Sequence, residues 1–175
     1  MPSGKRKSRA RRAGAGPSRH PAPSAERPQA AVARGDWPIG LGLAAGAAAL
    51  YLGTMCRTIY WGDTVEFILV ADTLGIAHPS GYPTFTLLNR LATLLPALSA
   101  PVAVNGLTAL TAAGAVLLFW FLARGWFAPY ESRTGFAGTW GAALATAVFA
   151  VAAEQWTQAT AAEVYALHTL LVAAV

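Results

Sequence analysis

Residues Trp37–Cys56 read W-P-I-G-L-G-L-A-A-G-A-A-A-L-Y-L-G-T-M-C, twenty positions without a charge. Coiled as an α-helix at 1.5 Å per residue, this stretch is about 30 Å long, which matches the hydrocarbon core of a bilayer. Lipid offers the backbone no water, so a helix that bonds its own amides and carbonyls is the stable form. Tyr51, and then Tyr60 and Trp61 just beyond, put aromatic rings where a headgroup layer favours them. The stretch reads as a membrane span, and it decides the fold class: all-α, a polytopic transmembrane helical protein.

On its N-terminal side the composition changes abruptly. Nine of the thirteen Lys and Arg lie before residue 35, opposed there by Glu26 alone, among many Pro, Ser, Ala and Gly. Residues 1–36 have little to bury and are expected to form a disordered basic tail. The run Lys5-Arg6-Lys7-Ser8-Arg9-Ala10-Arg11-Arg12 has the composition of a nucleic-acid or anionic-headgroup patch. The adjacent span accounts for it without either, since positive charge holds a terminus in the cytoplasm. Membrane lipid is therefore an expected partner and nucleic acid is not. Over the whole chain, 55% of residues are hydrophobic and 12% charged, against about 25% charged in an average soluble domain. That balance excludes an ordinary soluble surface. Cys56 is the single cysteine, so an internal disulfide is excluded.

Three further apolar stretches follow, at about 102–123, 136–153 and 160–175. The sequence stops inside the last. A terminus in mid-helix leaves carbonyls unsatisfied in lipid, so the chain is expected to be the N-terminal part of a longer protein. Thr84–Leu98 is different: it is short, holds Asn89 and Arg90, and is interrupted by Pro96. Such a segment belongs at an interface rather than across the bilayer. With the tail inside and this segment not crossing, Arg124 and Arg133 fall in a cytoplasmic loop, as the positive-inside rule prefers. The expected organisation is a tail (1–36) and a transmembrane domain (37–175). Its spans are about 37–56, 102–123, 136–153 and 160–175, and its long external loop is 57–101. The protein is expected to be a multi-pass cell-membrane protein with a cytoplasmic N-terminus.

The chemistry concentrates in that loop, which reads Tyr60-Trp61-Gly62-Asp63-Thr64-Val65-Glu66-Phe67 and later His78-Pro79-Ser80-Gly81-Tyr82-Pro83. Asp63 and Glu66, three apart, share a face if helical. Two carboxylates at a membrane surface suit general-base work on a hydroxyl. The same spacing before an apolar run is also a helix capping box, and both readings stand at this level. Gly75 is placed to end that helix. Pro79, Gly81 and Pro83 make a stiff turn that brings His78 and Tyr82 towards the acids. Glu163, at the head of the last apolar stretch, is an ionisable residue entering a span and so a site candidate; His168 lies deeper and has the simpler role of bonding a neighbouring helix. Two carboxylates without further ligands in reach make a poor metal site, so no metal is expected.

The strings W-G-D-T-V-E-F and L-G-I-A-H-P-S-G-Y-P-T-F, with Trp156-Thr157-Gln158-Ala159 and Ala162-Glu163-Val164-Tyr165-Ala166-Leu167 later, occur in that order. They resemble a membrane family long catalogued as a domain of unknown function and related to the protein O-mannosyltransferases. The resemblance covers about residues 37–175 and implies a GT-C-like glycosyltransferase architecture with juxtamembrane helices after the first span. It implies transfer of a sugar, mannose in the mannosyltransferases themselves, from a polyprenyl-phosphate carrier to an extracytoplasmic hydroxyl on a protein or glycan. No cofactor is implied beyond that lipid-phosphate-linked sugar donor. By the same resemblance Asp63 is the first choice of general base with Glu66 as partner or alternate, while His78, Tyr82 and Glu163 contact substrate. The mannosyltransferases carry an adjacent acidic pair, whereas two residues separate Asp63 from Glu66, which leaves the base to be assigned between them. A transporter or flippase, or a non-catalytic membrane scaffold, is the rival reading. Inverted repeats would favour the transporter, and the sequence contains none.

Overall fold

The computed structural model describes residues 35–134 and 137–175. The expected disordered tail, up to Arg34, lies outside the described residues. Every regular element among them is a helix: α1 (Asp36–Thr54), α2 (Thr64–Thr73), α3 (Pro83–Thr93), α4 (Ala100–Thr134), α5 (Ala137–Val151), α6 (Ala153–Thr160) and α7 (Val164–Ala173). Both α1 and α4 are long and apolar enough to cross a membrane. The pair α5 and α6 meets the same standard as one segment bent by 54°. α3, at 11 residues, is about 16 Å long and does not meet it, in keeping with the expectation for Thr84–Leu98.

α4 is the element against which the others pack. Helices in lipid associate through close contact, and small residues permit it. A side chain at Gly40 of α1 would run into the Trp120 indole of α4. A Cβ at Gly141 of α5 would come within 2.9 Å of the Phe127 ring, and one at Gly114 would lie 3.2 Å from Leu170 of α7. Leu110, Leu122, Leu144 and Val148 remain exposed and supply the apolar outer surface that lipid requires.

Two expected boundaries change. The span expected to end at 123 runs on: α4 continues to Thr134, 35 residues and about 52 Å, so the expected loop at Arg124–Arg133 is helix. The reason is charge pairing. Arg124 Nε lies 2.7 Å from Asp36 Oδ1 of α1, and Arg124 Nη1 lies 2.8 Å from Glu131 Oε2, two turns along its own helix. A neutralised arginine has no need of a loop to reach water. Asp36, assigned above to the tail, is the first residue of α1 and is buried.

The stretch expected as a span from 160 is divided. α6 occupies it to Thr160, residues 161–163 are not helical, and α7 starts at Val164. Tertiary bonds fix that break. The Cys56 amide donates to the Thr160 carbonyl (2.8 Å), and the Thr64 hydroxyl donates to the Ala162 carbonyl (3.3 Å). At the bend above it, the Tyr51 hydroxyl donates to the Ala150 carbonyl (2.6 Å) in the last turn of α5, where a helix runs out of its own donors. Asn105 of α4 donates to the carbonyl of Cys56 (2.7 Å), and the Trp156 indole donates to the Thr54 hydroxyl (3.0 Å). The end of α1, the start of the long loop and the α6–α7 junction are thereby stitched together at one end of the bundle.

Candidate functional site

The loop that leaves α1 turns at Gly62, whose φ of 80° only glycine adopts without strain. Asp63 follows at the position before α2. Its backbone is already helical (φ −68°, ψ −17°), its carbonyl accepts from the Phe67 amide (2.9 Å), and its side chain caps no amide. The capping box is therefore not formed. Glu66 has a different partner altogether. One of its oxygens accepts from the His78 amide at 2.6 Å, and the other lies 2.8 Å from His78 Nδ1. The expected turn at Gly75 is also shifted by one residue, since Leu74 takes the left-handed conformation (φ 55°) and the Gly75 amide closes on the Val70 carbonyl.

Glu66 and His78 stand beside an aromatic cluster. The His78 ring lies 5.7 Å from Phe67 and 5.4 Å from Tyr82, and Phe67 is buried against Phe85. Both side chains of the pair stay more than a third exposed. The hydrogen bond from the His78 ring holds the Glu66 carboxyl below the usual carboxylate range. The same bond raises His78 above the usual imidazole value, and the charges of Glu66, Asp63 and Glu163 act in the same direction.

An open cleft of about 750 Å³ lies between this loop and the α6–α7 junction. Asp63 and Glu163, a hundred positions apart in sequence, both line it, with Tyr60 and Trp61 on the loop side and Trp156 and Gln158 on the α6 side. No Lys, Arg or His is among its lining residues. It is an open, aromatic-walled groove with two carboxyl groups, which can accept hydrogen bonds from the hydroxyls of a bound group.

The five residues expected to form one site are thus divided. Asp63 and Glu163 face the cleft. Glu66 and His78 hold each other behind it. Tyr82 covers the His78 ring and also lines a separate apolar groove of about 410 Å³ between the start of α3 and the His168 face of α7. Trp156 and Gln158 were visible in the sequence as part of a motif but were not assigned to the site, and Tyr60 and Trp61 were read only as interface markers. What could have drawn attention to them is a polar and aromatic string directly following an apolar stretch, at the level where a span must end.

A family model described as the protein O-mannosyl-transferase TMEM260 N-terminal domain matches residues 63–175, beginning at Asp63 and taking in all five expected site residues. Among curated proteins, the mouse protein O-mannosyl-transferase TMEM260 is 36% identical over an alignment of 148 residues that covers 81% of this chain. The chain spans about a fifth of that relative's length. No solved structure matches. The family match extends over more than half of the 175 residues, and with it the resemblance carried by the W-G-D-x-x-E-F and H-P-x-G-Y-P strings becomes an assignment: the chain belongs to the family of the protein O-mannosyl-transferase TMEM260 N-terminal domain.

Proposed function

We propose that the protein serves as a membrane glycosyltransferase. In this reading it passes a sugar, mannose by family precedent, from a polyprenyl-phosphate carrier to a hydroxyl acceptor at the extracytoplasmic face. The observation that carries the reading is the meeting of Asp63 and Glu163 in one open cleft at the stitched end of the helices. Asp63 is the general base. Its carboxylate takes the acceptor's hydroxyl proton, the oxygen bonds to the anomeric carbon of the sugar, and the bond from that carbon to the carrier phosphate breaks, releasing polyprenyl phosphate. Glu163 lines the opposite wall and holds acceptor hydroxyls by accepting their hydrogen bonds. Trp61 and Trp156 offer flat apolar faces for the body of the acceptor. Glu66 is the partner rather than the base in this reading, which is supported by the bonds that both of its oxygens accept from His78.

The test is Asp63→Asn in the full-length protein, assayed in membranes by the passage of labelled mannose from polyprenyl-phosphate-mannose to acceptor. Asn keeps the shape and cannot take the proton, so transfer should fall by a factor on the order of 10² to 10⁴, with protein level and insertion unchanged. Near-normal transfer by this variant would sink the assignment.

A further inference from the structure

Asn89 of α3 is 2% exposed, and an amide buried to that degree is costly unless its polar atoms are bonded. Its Nδ2 donates to the Phe85 carbonyl at 2.9 Å, one turn back in the same helix. A carbonyl only accepts, so this bond settles which atom of the amide is the nitrogen and leaves Oδ1 as an acceptor. Among the described residues that Oδ1 has no hydrogen-bond partner.

Asn89 lines a small pocket between α3, α4 and α7, of about 10 Å³, the size of one water molecule. The other polar side chains lining it are Thr108, Thr111 and Glu163. Neither hydroxyl serves Asn89: Thr108 donates to the Val104 carbonyl (3.0 Å) and Thr111 to the Leu107 carbonyl (2.7 Å). The remaining walls are Phe85, Leu88, Leu107, Ala166 and Leu167, whose side chains have no donor. Glu163 is also a wall of the large cleft, so one carboxyl group borders both spaces.

We propose that one water molecule occupies this pocket, donating one hydrogen bond to Asn89 Oδ1 and one to Glu163, and that Asn89 is through it a positioning residue for Glu163. Two such bonds meet the minimum that a buried water requires. The carboxylate oxygen that receives the water's bond is held on the pocket side. The other oxygen is left to the cleft, where the proposed function has it accept from acceptor hydroxyls. The consequence for transfer rests on that reading, and the water site does not.

The water site is tested without activity. Infrared difference spectra of the full-length protein in nanodiscs, recorded through a pH titration, follow the Glu163 carboxyl band, identified by its disappearance in Glu163→Gln. Asn89→Leu removes the water's anchor and fills its space. Loss of a bond given to the carboxylate should raise the Glu163 midpoint by on the order of one pH unit. The charges of Asp63 and His78 that act on Glu163 are the same in both proteins. A midpoint that falls would show a neutral Glu163 donating directly to Asn89, and an unmoved midpoint would show no link between them; either overturns the proposal. Should Asn89→Leu fail to fold, an electron-microscopy map of the wild type at a resolution that shows ordered water decides. A peak within about 3.2 Å of both Asn89 Oδ1 and a Glu163 oxygen is expected, and a pocket without one overturns the proposal.

The positioning role is read from mannose transfer by the same variant. Acceptor KM should rise by roughly threefold to tenfold, the worth of one hydrogen bond, with kcat nearly unchanged. A fall in kcat at unchanged KM would overturn that role. Absence of transfer by the wild type would instead overturn the transferase reading, and the titration and the map would still decide whether the water joins Asn89 to Glu163.

Discussion

The two ends of the bundle handle charge in opposite ways. At the start of α1, Asp36 and Glu131 both converge on Arg124, the second oxygen of Glu131 accepts from the Thr139 hydroxyl (2.8 Å), and the Trp120 indole donates to the Asp36 carbonyl (2.8 Å). Asp36 and Arg124 are nearly buried there. At the far end of α1, Asp63 and Glu163 line an open cleft with no Lys, Arg or His among its lining residues, and Glu66 and His78 pair with each other outside that lining. A charge that serves the fold is closed off by partners. At the proposed site the two acids are left facing a space.

The largest expected effect comes from exchanging the two kinds of perturbation. Asp63→Asn should cost on the order of 10² to 10⁴ in transfer rate with little change in stability, because its side chain satisfies no cap. Arg124→Met should do the reverse. It takes the arginine away from nearly buried Asp36, and removing one partner of a buried pair costs about 3 kcal/mol or more, so the thermal midpoint should fall while the pH profile of the surviving protein keeps its shape. A stable Arg124→Met protein, or an unfolded Asp63→Asn one, would erase the distinction between the ends.

A smaller effect is expected between the ends. Tyr51→Phe removes the hydroxyl that serves the Ala150 carbonyl and leaves that acceptor unpaired in an apolar setting. The cost should be about 1–3 kcal/mol, and it should show first as loosened amide exchange in α6 rather than in α5. Equal loosening of both would mean that the bend is not held from α1.

The smallest effect is the pH response of the loop behind the cleft. The hydrogen bond from His78 is the main cause that lowers Glu66, so Glu66's share of the contact is present above the ordinary carboxylate value and is lost as pH falls through its folded value. The bond to Glu66 is the main cause that raises His78, so the imidazole's share is complete below its ordinary value and is lost as pH rises through its folded value. Amide protection of residues 76–82 should therefore be greatest between about pH 4.3 and 6.5 and should decline on both sides. Protection that only rises with pH would show that the imidazole carries no charge in the contact.

The sequence made α1 legible because a run of uncharged residues of bilayer length has one stable form. It misplaced the end of α4 because Arg124 looks like a loop residue until Asp36, 88 positions away, is known to meet it. It missed the gap between α6 and α7 because residues 160–175, with Glu163 and His168 among their ionisable members, contain no Pro or Gly to mark a break, and the break is set by bonds from Cys56 and Thr64. The site was legible in part for the same reason. The Asp63-x-x-Glu66 spacing announced an acidic pair, but spacing alone could not tell that one faces the cleft and the other pairs with His78. That needed the position of His78, which a left-handed Leu74 and the turn at Gly81 bring back onto α2. The opposition of Asp63 and Glu163 across a cleft is a fact of three dimensions with no local signal at all.

α1 has a consequence for the membrane around it. Its uncharged part, residues 37–54, is about 27 Å long, clamped at one end by Arg124 and stitched at the other through Cys56 and Thr54. A helix held at both ends can neither slide nor stretch, so it acts as a ruler that fixes the height of the cleft above the hydrocarbon. A thicker or thinner bilayer must then be met by tilting the whole bundle or by deforming the lipid, each at a modest cost per ångström. The depth at which the cleft meets the headgroups is thereby tied to the thickness of the membrane in which the protein resides.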